Sequence, residues 1–132
     1  MVESRIKSLC RKLDYYAGDI IWINYDPHSG TEEGGHDSES NNIARPMLVL
    51  SNHFYNIHRL VIGMTITSHI SKKNVKYTIP LKTTRHVIHG FILPANLSGF
   101  DKISRHASNP IDALDPVLWS KVDLFVHSIF QR

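Results

Sequence analysis

The chain has 132 residues, enough for one domain with its own core and too few for a large multi-domain enzyme. Apolar residues make up 42% and charged residues 20%, which argues against disorder throughout. A single cysteine, Cys10, excludes an internal disulfide framework and a multi-cysteine zinc site, and no run approaches the roughly 18 apolar residues that span a bilayer.

The first dozen residues are mixed in charge and lack the apolar stretch and cleavage site of a secretory leader, so a cytoplasmic protein is expected. Ile6, Leu9 and Leu13 recur at helical spacing, which makes residues 1–14 an N-terminal helix or extension. Asp19 to Tyr25 (DIIWINY) is rich in β-branched and aromatic residues and predicts a strand, with Ile21, Ile23 and Tyr25 on one face and Ile20, Trp22 and Asn24 on the other. A long polar loop follows from Asp26-Pro27 to Asn42 and has little to bury. Further strands are predicted over 46–51, 59–67, 75–81 and 87–93, with a short one near 97–103. Gly63 and Gly90 within them mark bends or close approaches of a strongly curled sheet.

The period then changes. Asp115 predicts an N-cap and Pro116 a first helical position, after which Leu118, Val122, Phe125 and Ile129 form one apolar stripe. The chain is therefore expected to be one domain of all-β to α+β class: a small, strongly curled antiparallel barrel over 15–108 closed by a C-terminal helix over 109–132.

The net charge of +3 is unevenly spread. Residues 13–50 hold seven acidic side chains against Arg45 alone, whereas residues 51–110 hold eight basic side chains against Asp101. Such a basic section suits a phosphate backbone if the fold gathers it on one face, and is otherwise an ordinary solvated surface. No phosphate-binding GxxxxGK[ST] loop, HExxH, CxxC or GxSxG is present. Nine histidines invite a metal, but His28 and His36 lie in a loop without cysteine, and spacing three puts His86 and His89 on opposite faces of a predicted strand. Neither a metal nor another cofactor is expected.

Six fragments carry a resemblance in the right order. They are Gly18-Asp19-Ile20-Ile21-Trp22, Tyr25-Asp26-Pro27, Gly30-Thr31-Glu32 with Gly35-His36, Arg45-Pro46-Met47-Leu48-Val49-Leu50-Ser51, Thr65-Ile66-Thr67, and Gly90 to Arg105 with its Asp101-Lys102-x-x-Arg105 element. Over roughly residues 15–130 the chain resembles the MazF/PemK family of toxin endoribonucleases. Asp37 to Ala44 depart from the family pattern by separating His36 from Arg45, and the match near Ala95-Asn96 is loose. An insertion in an exposed loop costs little closure entropy.

The resemblance implies an SH3-like barrel, usually a homodimer, and the lack of a long apolar run leaves no membrane partner expected. It would cleave single-stranded RNA at short sequences without a metal and be held in check by a small antitoxin. It assigns catalytic roles to Arg45 and Thr67, places Glu32 and His36 in a loop bordering the RNA groove, and makes Ser51 a supporting polar position. Trp22, Phe54, Tyr55, Lys72, Lys73, Lys76 and Arg85 are candidates for base stacking and backbone contacts. The antitoxin is expected over the same groove, displacing the loop from Gly30 to Asn42.

These residue types suit the chemistry. Attack by a 2′-OH on the adjacent phosphorus builds charge on the phosphoryl oxygens, which a guanidinium fork matches. A threonine hydroxyl donates to a phosphate oxygen without adding charge. His36 or Glu32 would accept the 2′-OH proton, with imidazole better matched to neutral pH. Taken singly, Arg45 is an ordinary strand-edge arginine, Thr67 a β-former bonded to local backbone, and Trp22 a packing residue. Two other functions share the barrel: a toxin that traps a topoisomerase, and a module that binds nucleic acid without cutting it.

Overall fold

The computed structural model describes residues 13–25 and 43–131. The predicted N-terminal helix lies almost wholly outside them, as does the polar loop carrying Glu32 and His36. Six strands are present: β1 (Asp19–Tyr25), β2 (Ile43–Val49), β3 (Leu60–Thr67), β4 (Ile79–Pro80), β5 (Phe91–Asp101) and β6 (Asp112–Ala113). A one-turn helix α1 (His53–Asn56) joins β2 to β3, and α2 (Trp119–Phe130) ends the described chain.

The strands form a single antiparallel sheet in the order β4-β5-β3-β2-β1-β6. Its two edges meet. Thr83, just past β4, bridges Leu114, just past β6, while the Thr84 N–H donates to the Ala113 carbonyl at 2.9 Å and the Asp115 N–H to the Lys82 carbonyl at 2.9 Å. The expected SH3-like barrel with a C-terminal helix is therefore what the chain forms, and the seam covers the edges that would otherwise pair with another chain.

Alternation along the strands fills two cores. Ile20, Leu48, Met64, Ile66 and Ile92 lie in one cluster, which α2 covers with Val122 and the partly buried Trp119, Phe125 and Val126. Ile21, Ile23, Met47, Val49, Val61 and Phe100 form the other, together with Leu13 and Tyr15. The helix begins as the sequence predicts, with the Asp115 carboxylate accepting from the Val117 N–H at 3.0 Å and Pro116 opening a 3₁₀ turn. The stripe holds through Leu118, Val122 and Phe125, but Ile129 is exposed and Val126 packs instead. At Gly63 an added Cβ would lie 2.2 Å from the Leu48 carbonyl oxygen, so β2 and β3 can approach only over a glycine.

Three strand boundaries differ from expectation. β2 runs over 43–49, not 46–51, because the Leu50 and Ser51 N–H groups both turn to the Ile62 carbonyl and Asn52 then caps α1. Over 75–81 only Ile79–Pro80 is strand: the Thr78 N–H and hydroxyl both donate to the Val75 carbonyl, closing a 3₁₀ turn. The strands predicted near 87–93 and 97–103 are one strand, β5, whose pairing with β3 shifts between Met64 and Ile66. Pro94, which has no N–H for the ladder, lies in the extra length this irregularity adds to β5.

The basic middle section is also less free than its charge implies. Lys102 is fully buried, and its Nζ donates to the Leu13 carbonyl at 2.8 Å and to the Asn56 carbonyl, 5.8 Å from the centre of the Tyr15 ring. Burial, reinforced by the Asp19 charge, pushes the Tyr15 phenol above its usual range. Arg59 pairs with Asp101 at 2.6 Å. The Asp101-Lys102-x-x-Arg105 element is thus a structural staple between α1, the end of β5 and the segment before β1. Lys102→Ala, which strips two buried carbonyls of their donor, is expected to lower stability by about 3 kcal/mol in urea unfolding.

Candidate active site

At one end of β1, β2 and β3 the sheet opens into a cleft of about 460 Å³. β1 contributes Trp22, β2 contributes Arg45 and Pro46, β3 contributes Thr67, and the segment before β5 contributes Val87 and His89. The strand register brings the two principal residues together. β2 and β3 pair antiparallel from Val49↔Gly63 to Met47↔Thr65, and two residues beyond that last pair on each strand Arg45 and Thr67 both line the cleft. Ile23 of β1 pairs with Arg45 from the other side, holding it within the sheet.

The Thr67 hydroxyl is engaged locally. It donates to the His69 carbonyl at 3.0 Å and receives the His69 N–H at 3.3 Å. Rotating the proton toward a ligand would give up the first bond and leave the second to hold the oxygen in place. Trp22 is 38% exposed, and its backbone is tied on both sides to Ser108: the Trp22 N–H donates to Ser108 Oγ at 2.9 Å and the Ser108 N–H to the Trp22 carbonyl at 3.0 Å. Trp22 is thus a partly exposed residue of the cleft lining on a strand whose backbone is fixed.

The remaining sequence candidates divide. Ser51 is not in the cleft: its hydroxyl bonds the buried Asn56 side chain and accepts the Ile62 N–H at 2.9 Å, pinning the β2–β3 connection. Phe54 and Tyr55 are exposed on α1, away from the cleft lining. Lys72, Lys73 and Lys76 are exposed on the segment after β3, with Lys76 Nζ 5.2 Å from the Tyr77 ring centre, and Arg85 is exposed beside the cleft-forming segment. Glu32 and His36 fall outside the described residues.

Two residues outside the sequence-derived site candidates, His89 and Asp112, shape the site. His86 and His89 do not share a strand: residues 86–90 are irregular, His86 has a φ of 61°, and His89 lines the cleft. The cause is Asp112, a buried carboxylate on β6. Its Oδ1 accepts the Arg85 and Ala113 N–H groups at 2.9 and 2.8 Å, and its Oδ2 accepts those of Val87 and Ile88 at 2.8 and 2.9 Å. Burial raises the Asp112 pKa, but the Ile88 N–H, the Thr83 hydroxyl and the other backbone donors outweigh it and hold the group at about 2. N–H groups taken by a carboxylate cannot join a ladder, so the apolar run at 87–90 does not extend β5. Among the described residues no three His, Cys, Asp or Glu side chains gather as metal ligands, and no helix is long and apolar enough to cross a membrane.

Residues 16–130 match the family described as PemK-like, MazF-like toxin of type II toxin-antitoxin system. The chain is 28% identical over 115 residues to the endoribonuclease toxin ChpB of Escherichia coli K12, covering 83% of this chain and 90% of that protein. MazF from Deinococcus radiodurans superposes with a TM-score of 0.68 at 26% identity, over 87% of this chain and 94% of that one. A mycobacterial endoribonuclease solved with its cognate antitoxin superposes at 0.58 with 15% identity, over 87% and 91% of the two chains, a likeness of fold alone.

Proposed function

This chain belongs to the PemK-like, MazF-like toxins of type II toxin-antitoxin systems, and on that premise we propose that it is a metal-independent endoribonuclease that cuts single-stranded RNA at short sequences. The observation that carries the reading is the shared cleft: Arg45 and Thr67, 22 positions apart in the chain, line one opening with an aromatic wall at Trp22. Arg45 would meet the phosphoryl oxygens with its planar fork and hold the charge that develops on them. Thr67 would add one hydrogen bond to the same phosphate. Trp22 would receive a base by stacking, a contact that tolerates any base and so leaves sequence choice to its neighbours.

The reaction needs no water as nucleophile. The 2′-oxygen bonds to phosphorus, the bond to the 5′-oxygen breaks, and the products are a 2′,3′-cyclic phosphate and a 5′-OH. A deoxyribose chain lacks the nucleophile, which limits the enzyme to RNA. In this reading the working unit is a homodimer, and a small antitoxin whose acidic and apolar segment lies across the cleft masks Arg45 and Trp22 together.

Incubation with a long single-stranded RNA in EDTA tests the proposal. Discrete fragments ending in 2′,3′-cyclic phosphate are expected. Binding without fragments would leave a nucleic-acid-binding module, and fragments ending directly in 3′-OH would rule out attack by the 2′-OH.

A further inference from the structure

We propose that His89 is the cleft's proton-transfer residue, taking the proton from the attacking 2′-OH. The inference rests on the ribonuclease reading above and assigns the proton acceptor to a described residue of the cleft, in place of the His36 or Glu32 that the sequence resemblance suggests. A guanidinium has no lone pair to offer as an acceptor and a threonine hydroxyl is a weak base, so neither Arg45 nor Thr67 is suited to take a proton. Of the described side chains lining the cleft, imidazole is the type that exchanges protons near neutral pH.

The backbone holds His89 from both ends. On its N-terminal side the Asp112 carboxylate takes the N–H groups of Arg85, Val87 and Ile88. On its C-terminal side Gly90 has a φ of 136° and lies against β3 so closely that a Cβ there would be 2.2 Å from the Thr67 carbonyl oxygen. The Gly90 carbonyl also accepts the Leu81 N–H at 2.9 Å. Residue 89 is thus clamped between a buried anion and the backbone of the very threonine that shares the cleft. Such double fixation is what a proton-transfer group needs, because it works only within hydrogen-bond reach of its target. The other charged residue in the described cleft lining is Arg45 from β2; β1 contributes Trp22, and β3 with the residue after it contributes Thr67 and Ser68, whose side chains are not acids or bases of the neutral pH range.

The step balances simply. The neutral imidazole nitrogen takes the 2′-OH proton as the 2′-oxygen forms its bond to phosphorus. The electron pair of the P–O5′ bond leaves on the 5′-oxygen, which takes a proton from water, and the imidazolium returns its proton to solvent. Asp112 is a positioning residue here, acting through the backbone of 85–88.

Single-turnover cleavage of a single-stranded RNA across pH 5 to 8, with wild type, His89→Gln and His89→Ala, tests the inference. Wild type is expected to gain rate through an acidic limb. His89→Gln should be slower by about 100-fold at neutral pH and lose that limb, with its affinity for a 2′-deoxy analogue unchanged. Free imidazole should restore rate to His89→Ala. A wild-type rate in His89→Gln, or a slowed rate that keeps the acidic limb, overturns the role of His89 while leaving the ribonuclease reading intact. No cleavage by wild type overturns both.

Discussion

Arg45→Ala is expected to reduce RNA cleavage by at least about 10³-fold while changing stability by no more than about 1 kcal/mol. Removing one neutral donor from an oxyanion site costs about 10²- to 10³-fold in rate, and a guanidinium supplies a full charge and two parallel bonds. Stability should barely change because the side chain lines an open cleft while the core on either side of β2 is made by Met47, Leu48 and Val49. Arg45→Lys should recover only part of the rate, since an ammonium is a point charge without the fork. The measurements are single-turnover rates and urea unfolding on the same preparations. A further mark is the salt dependence of binding to a 2′-deoxy strand, whose slope should fall by about 0.7 if one phosphate contact is lost. Cleavage by Arg45→Ala at the wild-type rate would remove Arg45 from the mechanism and leave the shared cleft without its principal group.

The parts of this molecule that were legible in the sequence are those whose cause is local. Asp19–Tyr25 is dense in β-branched residues, and its alternation correctly splits Ile20 from Ile21 and Ile23 between two cores. Asp115-Pro116 announces a helix start because the cap bond spans two residues. The resemblance points to Arg45 and Thr67, and the antiparallel pairing of β2 with β3 brings the strand ends that carry them to one cleft. What escaped depends on contacts far apart in the chain. Val87, Ile88, Phe91, Ile92 and Leu93 together look like a strand; nothing nearby reveals that a carboxylate 24 to 27 residues later takes the backbone of the first half. The same contact keeps His86 and His89 off a common strand and leaves His89 in the cleft lining. Lys102 belongs by sequence to the basic section, yet it is buried against α1, where it donates to the Asn56 carbonyl.

Asp112→Ala is expected to be the most destabilising single change at the site, by about 4 kcal/mol, and to lower cleavage as well. Four N–H groups would lose their acceptor, fully buried at Ile88 and partly buried at Arg85, Val87 and Ala113, and an unpaired donor shielded from water costs about 1 kcal/mol or more. The loss falls on the seam where Thr83 bridges Leu114, so barrel closure and the cleft wall weaken together. Acid provides an independent measure. The folded pKa of about 2 lies below the ordinary 3.8, so the ionised carboxylate contributes stability that is fully present above about pH 4 and is lost as pH falls toward 2. Its share is about 2 kcal/mol. Asp101, also held below the ordinary range because the Ser104 and Ile103 N–H groups and Arg59 outweigh its burial, adds in the same direction. Wild type should therefore lose stability between pH 4 and 2 more steeply than Asp112→Ala, and the gap between the two proteins should narrow as the pH drops. A constant gap over that range would mean that the carboxylate's charge is not what holds residues 85–88, and that some other contact shapes the wall on which His89 stands.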